Sequence, residues 1–429
     1  MRFPLYSVLY GLAGLAAAPY YFYQGLRTGK YLWSLSARLG RVPPALPPKM
    51  GLRVWVHALS LGEVVSAAEL VRRLARAGHE VCLSTTTLSG ARLAAKRLAE
   101  IPRLCLPLDW PPAVRRTLKA VRPDLFVLVD SDIWPNVLAG LEDRRVPKAL
   151  VNARVSPRSF AGYRLVRGFW RRVLGLFDFI GCQTPLDRER LLALGARPET
   201  TALTGNLKYD RPAPVTGPEV RRRLLAETGL PDGAWLAAGS THPGEEEILL
   251  SLLKKLRGRF PGLRLLIAPR NSERFGAVWR TIERTGLPAG RRSDGGPYRD
   301  PAVFLLDTLG ELDLFYELGD VVFVGKSLPV PGEGGGHNLL EPAARGKPVL
   351  FGPRMHNFPE VARLMLESGG GRRVEDAGGL EEAAAALLAD ESLRLGMGRR
   401  AQAAVEAHRG ALDRTLGFLE RVLKARPVP

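Results

Sequence analysis

The sequence predicts an α/β fold built from two parallel-sheet domains in tandem, with an apolar helix at the N-terminus. At 429 residues the chain is too long for one ordinary hydrophobic core. Short apolar runs alternate with amphipathic helical stretches along most of its length, which is the pattern of parallel sheets covered by helices on both faces. The Pro-rich stretch 209–219 interrupts this alternation, so we expect a linker between the two domains there.

The N-terminal segment 3–26, FPLYSVLYGLAGLAAAPYYFYQGL, carries no charged side chain. As a helix it would be about 36 Å long, enough to cross a bilayer. The aromatic residues at 20–23 would lie at the membrane interface. The cations that follow are Arg27, Lys30, Arg38 and Arg41. We predict a membrane anchor at 1–27 that spans the bilayer or lies in its inner leaflet and holds the following domains on the cytoplasmic side.

A competing interpretation of the same segment is a signal peptide, because the stretch LAAAP resembles a signal-peptidase site. Cleavage there would send the domains outside the cytoplasm. The three cysteines, Cys82, Cys105 and Cys182, are odd in number and contain no C-x-x-C pair. They fit a reducing compartment better, so we favour the anchor.

Apolar runs that end in polar stretches predict the strands of a first domain at 50–208. They lie at 52–59, 80–87, 103–109, 125–130, 148–154, 179–184 and 201–206. The alternation resumes after the linker and predicts a second domain at 220–405. Its strands are expected at 234–241, 263–270, 302–308, 320–326 and 347–353. Only helices are expected beyond these strands, and one interpretation of the C-terminal helix at 406–429 is that it crosses back to the first domain.

The predicted organisation is therefore two Rossmann-like domains. In open parallel sheets, ligands bind outside the carboxyl ends of the strands. We expect the two sheets to face a central cleft that holds the substrates.

The charge of the chain points to an anionic partner. The net charge is +19, from 62 basic and 43 acidic residues. Nucleic acid, phosphorylated small molecules and an anionic membrane face all remain open on this ground, as does a generally Arg-rich composition. The six histidines form no H-x-x-x-H pair, so a zinc site is not expected.

A Gly-rich stretch, GEGGGHN at 332–338, is predicted to open a helix that carries Asn338 and Glu341 on one face. Glycines let a backbone approach a phosphate, and a carboxylate one turn into the helix can accept ribose hydroxyls. The stretch is neither a G-K-[ST] loop nor a G-x-G-x-x-G after the first strand, so ATPase and NAD functions lose ground. The acids at 245–247 are sufficiently explained by helix-start chemistry.

Two acidic positions in the first domain have open interpretations. Glu63 lies in the first turn of a predicted helix, either to complement the helix dipole or to serve as a general base. Asp130 and Asp132, in LFVLVDSDIWPN, form either a metal-binding D-x-D or a strand end whose acids do other work.

A set of motifs in order along nearly the whole chain resembles the 3-deoxy-D-manno-octulosonic acid (Kdo) transferases of lipopolysaccharide synthesis. These motifs are WVHALSLGEV, STTTLSGARLA, LPLDWP, DIWPN, LVNARVSPRSFAGYR, TGNLKYD, STHPGEEEI, LGEL and GGHNLLEPAARGKPVLFGP. The resemblance implies a GT-B fold, CMP-Kdo as donor, a lipid A precursor (lipid IVA) as acceptor, and inversion at the sugar. It also implies that neither a metal nor another cofactor is needed, and that the enzyme works at the anionic surface of the inner membrane.

The resemblance assigns roles to particular residues. It implies that Glu63 is the proton acceptor and that Asp130 and Lys208 stabilise the transition state. It further implies a CMP-binding set made of Pro269, Arg270, Leu309, Gly310, Glu311, Asn338, Leu339, Leu340 and Glu341. On this reading, Asp130 and Asp132 belong to the acid motif of the cleft and not to a metal-binding D-x-D.

The sequence departs from the family pattern at three places. Aspartates stand at 130 and 132 where glutamates are usual, Asn-Ser-Glu-Arg stands at 271–274 for the usual His-Pro-Glu-Arg, and Lys326 stands where a second glycine is common. Two other functions stay open: a GT-B enzyme that uses a UDP-sugar, and a membrane-tethered basic protein that binds nucleic acid. An ordinary aromatic content of 7% and the lack of a known basic motif weigh against nucleic acid as the partner.

Overall fold

The computed structural model describes residues 3–28, 34–41, 46–130, 132–210, 214–332 and 334–424. The chain divides into two compact units, one made of Met1–Arg211 with His408–Pro429 and the other of Pro212–Ala407. Residues 211–213 of the predicted linker, Lys30 of the predicted basic cluster and Glu333 of the Gly-rich stretch lie outside the described residues.

The first unit contains a parallel sheet whose strands follow the order β3-β2-β1-β4-β5-β6-β7. The strands are β1 (Arg53–His57), β2 (Glu80–Thr85), β3 (Arg103–Cys105), β4 (Leu125–Val129), β5 (Lys148–Ala153), β6 (Phe179–Cys182) and β7 (Thr201–Leu203). Strand β4, with the sequence LFVLV, is buried along its whole length because helices cover both faces of the sheet. The strand order reverses between β1 and β4, which pair directly, and this pair is the topological switch point of the sheet.

Ten helices complete the described part of the first unit. They are α1 (Pro4–Thr28), α2 (Leu35–Arg38), α3 (Leu61–Arg76), α4 (Leu88–Arg97), α5 (Pro111–Val121), α6 (Pro135–Glu142), α7 (Pro157–Leu165), α8 (Arg167–Leu174), α9 (Pro185–Leu194) and α18 (Ala411–Lys424). Helix α18 returns from the far end of the chain, and its Leu419 is buried in the same core as β1 and α3. Asp210 accepts hydrogen bonds from the backbone N–H groups of Gly410 and Leu412, both at 2.6 Å, and so fixes where α18 begins.

Helix α1 packs one face against the first unit. Phe3 is buried and its ring meets Phe169 of α8 edge-on at 5.7 Å, while the hydroxyl of Ser7 donates a hydrogen bond to Asn136 at 3.0 Å. Its other face leaves large apolar side chains exposed to solvent: Leu5, Val8, Leu9, Leu12 and Leu15. The contacts of Phe3 and Ser7 tie α1 to the domain that follows it.

Of the two alternatives for the predicted anchor, a helix that spans the bilayer is not supported by the structure, and a helix that lies in the inner leaflet stays a prediction. The segment is helical as expected, yet no helix among the described residues has both the length and the hydropathy to cross a membrane. The mean hydropathy of α1 is lowered by two glycines at 11 and 14, by Pro19 and by the tyrosines at 20, 21 and 23.

The second unit contains a parallel sheet with the order β10-β11-β9-β8-β12-β13-β14. Its strands are β8 (Trp235–Thr241), β9 (Arg264–Pro269), β10 (Ala289–Arg291), β11 (Val303–Leu305), β12 (Val321–Val324), β13 (Val349–Phe351) and β14 (Gly371–Arg373). The order reverses between β8 and β12, so this pair is the switch point of the second sheet. The edge strands β10 and β14 were not expected from the sequence, because neither is an apolar run.

Helices cover both faces of the second sheet. They are α10 (Pro218–Thr228), α11 (Glu245–Arg257), α12 (Phe275–Glu283), α13 (Leu312–Phe315), α14 (Leu340–Ala344), α15 (Pro359–Glu367), α16 (Ala377–Ala389) and α17 (Glu391–Ala407). Glu245 shows how the start of α11 is tied to the sheet. Its buried carboxylate accepts backbone N–H hydrogen bonds from His242, Lys326, Ser327 and Leu328 at 2.8 to 3.2 Å. This is a structural role for an acid at 245–247, as helix-start chemistry predicts.

Candidate active site

Glu63 lies at the switch point of the first sheet, in the first turn of α3 directly after β1. Its carboxylate turns back towards the start of the helix. It accepts a hydrogen bond from the backbone N–H of Leu59 at 2.6 Å and another from the hydroxyl of Ser60 at 3.1 Å. This arrangement resembles a capping box and fixes the direction of the side chain.

Burial, with a further contribution from the nearby charge of Asp130, raises the pKa of Glu63 to about 7. The hydrogen bonds from Leu59 and Ser60 act in the opposite direction, because they favour the ionised form. A carboxyl group with this pKa is present in both protonation states near neutral pH. It can accept a proton at physiological pH and release it again.

Asp130 follows β4 on the other side of the same switch point, with its backbone in the left-handed region at φ 61°. The side-chain amide of Asn152 donates a hydrogen bond to its Oδ1 at 2.5 Å, and that of Gln183 donates another at 3.4 Å. Asn152 is itself left-handed, at φ 59°, where the pairing of β5 with β6 shifts register. This irregularity lets an amide from a buried strand reach a carboxylate on its neighbour.

Lys208 is tied to this acid through a chain of amides. Gln183 accepts a hydrogen bond from the side chain of Asn206 at 3.0 Å, and the Oδ1 of Asn206 accepts one from the backbone N–H of Lys208 at 3.0 Å. Burial raises the pKa of Asp130, and the positive charges of Lys208 and Arg154 oppose that rise. The ammonium group of Lys208 therefore acts on the carboxylate of Asp130.

The structure thus brings together the three predicted catalytic residues of the first unit around the ends of β1, β4 and β7. Burial also raises the pKa of Asp132. Among the residues the structure describes, no group of three or more His, Cys, Asp or Glu side chains is placed to hold a metal ion. Asp130 is engaged instead by amide donors. Sequence reasoning assigned no role to Asn152, Gln183 and Asn206, although each lies among the last three residues of a predicted strand.

The second unit has a pocket of about 480 Å³ at its own switch point. His242 follows β8, Arg270 follows β9 and Lys326 lies just beyond β12, so three neighbouring strand ends contribute to its wall. Arg274, His337 and Arg354 line it as well, and no described residue of the lining is an Asp or a Glu. The pocket is consequently strongly positive, as an anion-binding site must be.

Two histidines meet in this pocket. Nε2 of His242 lies 3.1 Å from Nε2 of His337, so one neutral ring donates a hydrogen bond and the other accepts it. Burial, together with the positive charges of Lys326 and Arg270, lowers the pKa of His242 to about 4 and that of His337 to about 3. Both rings are therefore neutral at pH 7, and the charge of the pocket comes from its lysine and arginines.

The residues predicted to bind CMP differ in their surroundings. Arg270 lines the pocket, next to the buried Pro269 at the end of β9. Glu311 is held by an ion pair with Arg292 at 3.0 Å. Its neighbours Leu309 and Gly310 are exposed, and Gly310 has φ 94°.

The remaining predicted CMP residues lie at the start of α14. Asn338 donates a hydrogen bond to Glu341 at 3.4 Å and accepts one from the backbone of Leu340 at 3.2 Å. The side chains of Leu339 and Leu340 are buried and pack in the interior. These two residues can therefore offer a ligand only their backbone groups.

The Gly-rich stretch leads into α14 as predicted, but the helix begins at Leu340, so Glu341 lies in its first turn while Asn338 precedes it. Its described glycines pack against the segment 354–357. Gly335 donates a backbone hydrogen bond to Arg354 at 3.2 Å and accepts one from Asn357 at 3.0 Å. A Cβ at Gly334 would come within 2.8 Å of the Cβ of Arg354. Close approach of two chain segments therefore already accounts for small residues here.

Comparisons with known proteins find similar sequences and similar folds. A family model described as "3-Deoxy-D-manno-octulosonic-acid transferase (kdotransferase)" matches residues 34–211. The chain is 34% identical over 410 residues to a 3-deoxy-D-manno-octulosonic acid transferase of Haemophilus influenzae, covering 93% of each protein. It is 36% identical over 404 residues to the one of Bordetella pertussis, covering 90% of this chain and 92% of that protein. In fold it is similar to a glycosyltransferase from Rickettsia africae, with a TM-score of 0.58, 13% identity, and coverage of 88% of this chain and 100% of that one.

Proposed function

This chain belongs to the family of 3-deoxy-D-manno-octulosonic acid (Kdo) transferases, and we propose that it transfers Kdo from CMP-Kdo to the lipid A precursor lipid IVA. The observation that carries this proposal is the carboxyl group of Glu63, with a pKa of about 7, at the switch point of the first sheet. A general base of this kind is what a sugar transfer to a hydroxyl group requires.

In the proposed reaction, Glu63 accepts the proton of an acceptor hydroxyl while that oxygen attacks the anomeric carbon of Kdo. The bond from this carbon to the phosphate oxygen breaks, and CMP leaves with the electron pair. Because this is a single displacement from the side opposite the leaving group, the anomeric configuration inverts. The hydrogen bonds from Leu59 and Ser60 hold the base in one orientation throughout.

Asp130 and Lys208 are proposed to stabilise the transition state. Positive charge develops on the sugar ring as the bond to phosphate breaks, and negative charge develops on the leaving group. A carboxylate held by Asn152 and the ammonium group of Lys208, whose backbone is held by Asn206, are suited to these opposite charges. Lysine and arginine side chains supply the positive charge, so we propose that the reaction needs no metal ion.

The second unit is proposed to hold the donor. Its pocket combines Arg270 from the predicted CMP-binding set with further cations, and CMP-Kdo carries negative charge on its phosphate and on its sugar. A phosphate next to a guanidinium group is a favourable, charge-assisted contact.

We further propose that the enzyme works at the cytoplasmic face of the inner membrane. The exposed leucines of α1 lie on the same unit as α7 and α8, and Phe3 of α1 contacts Phe169 of α8. Exposed cations extend along α7 and α8 of that unit: Arg158, Arg164, Arg167, Arg171 and Arg172. Exposed apolar and cationic side chains of one unit favour binding to anionic lipid.

Purified full-length protein, incubated with CMP-Kdo and lipid IVA, tests the proposal. Mass spectrometry should detect lipid IVA extended by Kdo, with release of CMP. UDP-sugars serve as the control donors and should give no product. Product from a UDP-sugar but none from CMP-Kdo would favour the alternative GT-B activity and overturn this assignment.

A further inference from the structure

We infer that Lys326 is a specificity-determining residue of the second unit, and that it binds the carboxylate of an acidic donor sugar while Arg270 binds the phosphate. This inference rests on the proposed function and adds a carboxylate subsite to it. The pocket at the switch point of the second sheet carries the argument, through the position, the backbone and the available charge of Lys326.

The position of Lys326 places it opposite Arg270. Their strands, β12 and β9, flank the central strand β8 on either side. Neighbouring strands lie about 4.8 Å apart, so the two strand ends are separated by roughly 10 Å. Two long cationic side chains can reach into the space between them, where His242 follows β8.

The backbone of Lys326 is held in an unusual conformation. Its φ is 60°, in the left-handed region that lysine rarely adopts and glycine adopts freely. Its N–H donates to Glu245 at 2.8 Å, and its carbonyl accepts from the N–H of Gly336 at 2.8 Å. Lysine stands at a position that suits glycine, and hydrogen bonds fix its backbone on both sides. This indicates that the side chain itself has a function.

The charge of Lys326 is available to a ligand. Arg274 is already bound by both oxygens of Glu246, at 2.9 and 3.0 Å, and Arg354 donates to the carbonyl of Val330 at 2.7 Å. The side chains of Lys326 and Arg270, by contrast, make no hydrogen bond or ion pair with any residue in the described part of the chain. Two unengaged cations on opposite sides of one pocket match a ligand with two anionic groups.

The chemistry of the donor supplies such a ligand. In a 2-keto sugar acid linked to a nucleotide, the anomeric carbon bears both the phosphate oxygen and the carboxylate. Two negative groups therefore lie on one carbon, and two cations from opposite sides can bind them together. A nucleotide linked to a neutral sugar has no carboxylate at this place for Lys326 to bind. The pocket should therefore bind it more weakly than the nucleotide linked to the acidic sugar.

The test compares two ligands that differ only in the acidic sugar. Binding of CMP and of freshly prepared CMP-Kdo is measured without acceptor, by displacement of a fluorescent cytidine nucleotide from the full-length protein. We expect Lys326→Met to weaken CMP-Kdo binding roughly 10- to 100-fold, as loss of a charge-assisted contact does, and to change CMP binding by less than about threefold. Lys326→Gly suits the backbone and should give the same result in a folded protein, while Lys326→Arg should retain most of the preference.

A matched control is Lys255→Met, on the exposed surface of α11 of the same unit, where Lys255 pairs with Glu381. It should leave the affinity for both ligands unchanged. Equal weakening of CMP and CMP-Kdo by Lys326→Met would place Lys326 on the phosphate, and no weakening of either would remove it from the donor site; both results overturn the inference. Failure of the proposed function is a separate result, since it is seen as absence of Kdo transfer to lipid IVA by the wild-type protein.

Discussion

The side-chain amide of Asn152 donates a hydrogen bond to the carboxylate of Asp130 at 2.5 Å, and both residues have left-handed backbones. The side-chain oxygen of Asn152, Oδ1, accepts a hydrogen bond from the backbone N–H of Leu207 at 3.0 Å. Asn152 therefore links the acid of the candidate site to the segment that carries Lys208.

Replacing Asn152 by glycine should preserve the left-handed backbone and remove both hydrogen bonds. We expect the free energy of unfolding to fall by about 1–3 kcal/mol, because a buried N–H and a buried carboxylate lose a partner. Urea denaturation measures this change. Arg145→Gly replaces another left-handed residue, on an exposed turn, and serves as the control, with an expected change within about 0.5 kcal/mol. Equal changes in the two variants would mean that the amide of Asn152 contributes little.

The pKa of Glu63 predicts a pH profile. A base must be deprotonated to act, so kcat/KM should rise about tenfold per pH unit below pH 7 and level off above it. Since the charge of Asp130 raises the pKa of Glu63, Asp130→Asn should move the midpoint to lower pH in whatever activity remains. An unmoved midpoint in that variant would show that another group controls the profile.

Glu63→Gln tests the role of the base directly. It should reduce the rate by about 10²–10⁴, the range that general-base catalysis supplies, with CMP binding unchanged. The residual activity should also lose the midpoint near pH 7. Rapid-mix kinetics with CMP-Kdo and lipid IVA give the rate, and a variant within about threefold of wild type would end the assignment of Glu63 as the base.

Chelation tests the proposal that no metal is needed. Activity should survive excess EDTA, because cationic side chains such as that of Arg270 can offset charge on the phosphate in place of a metal ion. The measurement is the transfer rate before and after chelation, followed by addition of Mg²⁺ or Mn²⁺. Loss of the rate to EDTA and its return with either ion would reinstate Asp130 and Asp132 as metal ligands.

The exposed face of α1 predicts how the protein binds membranes. Leu9→Asn combined with Leu12→Asn should weaken binding to acidic vesicles at least about tenfold, since each buried leucine contributes about 1.5–3 kcal/mol. Vesicle flotation at low and high salt measures it, and salt should weaken the wild type further. Leu393→Asn with Leu395→Asn, exposed on α17, is the matched control. Equal binding by the two double variants would show that the exposed leucines of α1 do not contribute to membrane binding.

The sequence predicted every strand of the first sheet and the central strands of the second, but not the second sheet's edge strands β10 and β14, for a physical reason. Runs such as LFVLV are apolar because both faces of the central sheet are covered. Strand β14, with the sequence GRR, has two exposed arginines because it lies at the edge. The motif resemblance led to Glu63, Asp130 and Lys208, and the structure places them together.

The pocket of the second unit could not be predicted in the same way. His242 and His337 lie 95 positions apart, and their contact depends on the order of the strands. The sequence marks Lys326 only as a departure from the family pattern, and a role for its side chain depends on its backbone angle and its place in the pocket. Glycines in the Gly-rich stretch do not by themselves indicate a nucleotide, because close approach to another chain segment selects glycine just as close approach to a phosphate does, and nucleotide binding there stays a prediction.

Helix α18 has a consequence for how the protein is made. Its Leu412 and Leu419 fill the core of the first unit, and Phe418 stacks on Phe179 of β6 at 4.4 Å. All of the second unit is synthesised between β7 and this helix. The nascent first unit must therefore wait on the ribosome with part of its core uncovered, while the second unit can fold as one continuous stretch. Chaperones that shield apolar surface would act on the half that is translated first and finished last.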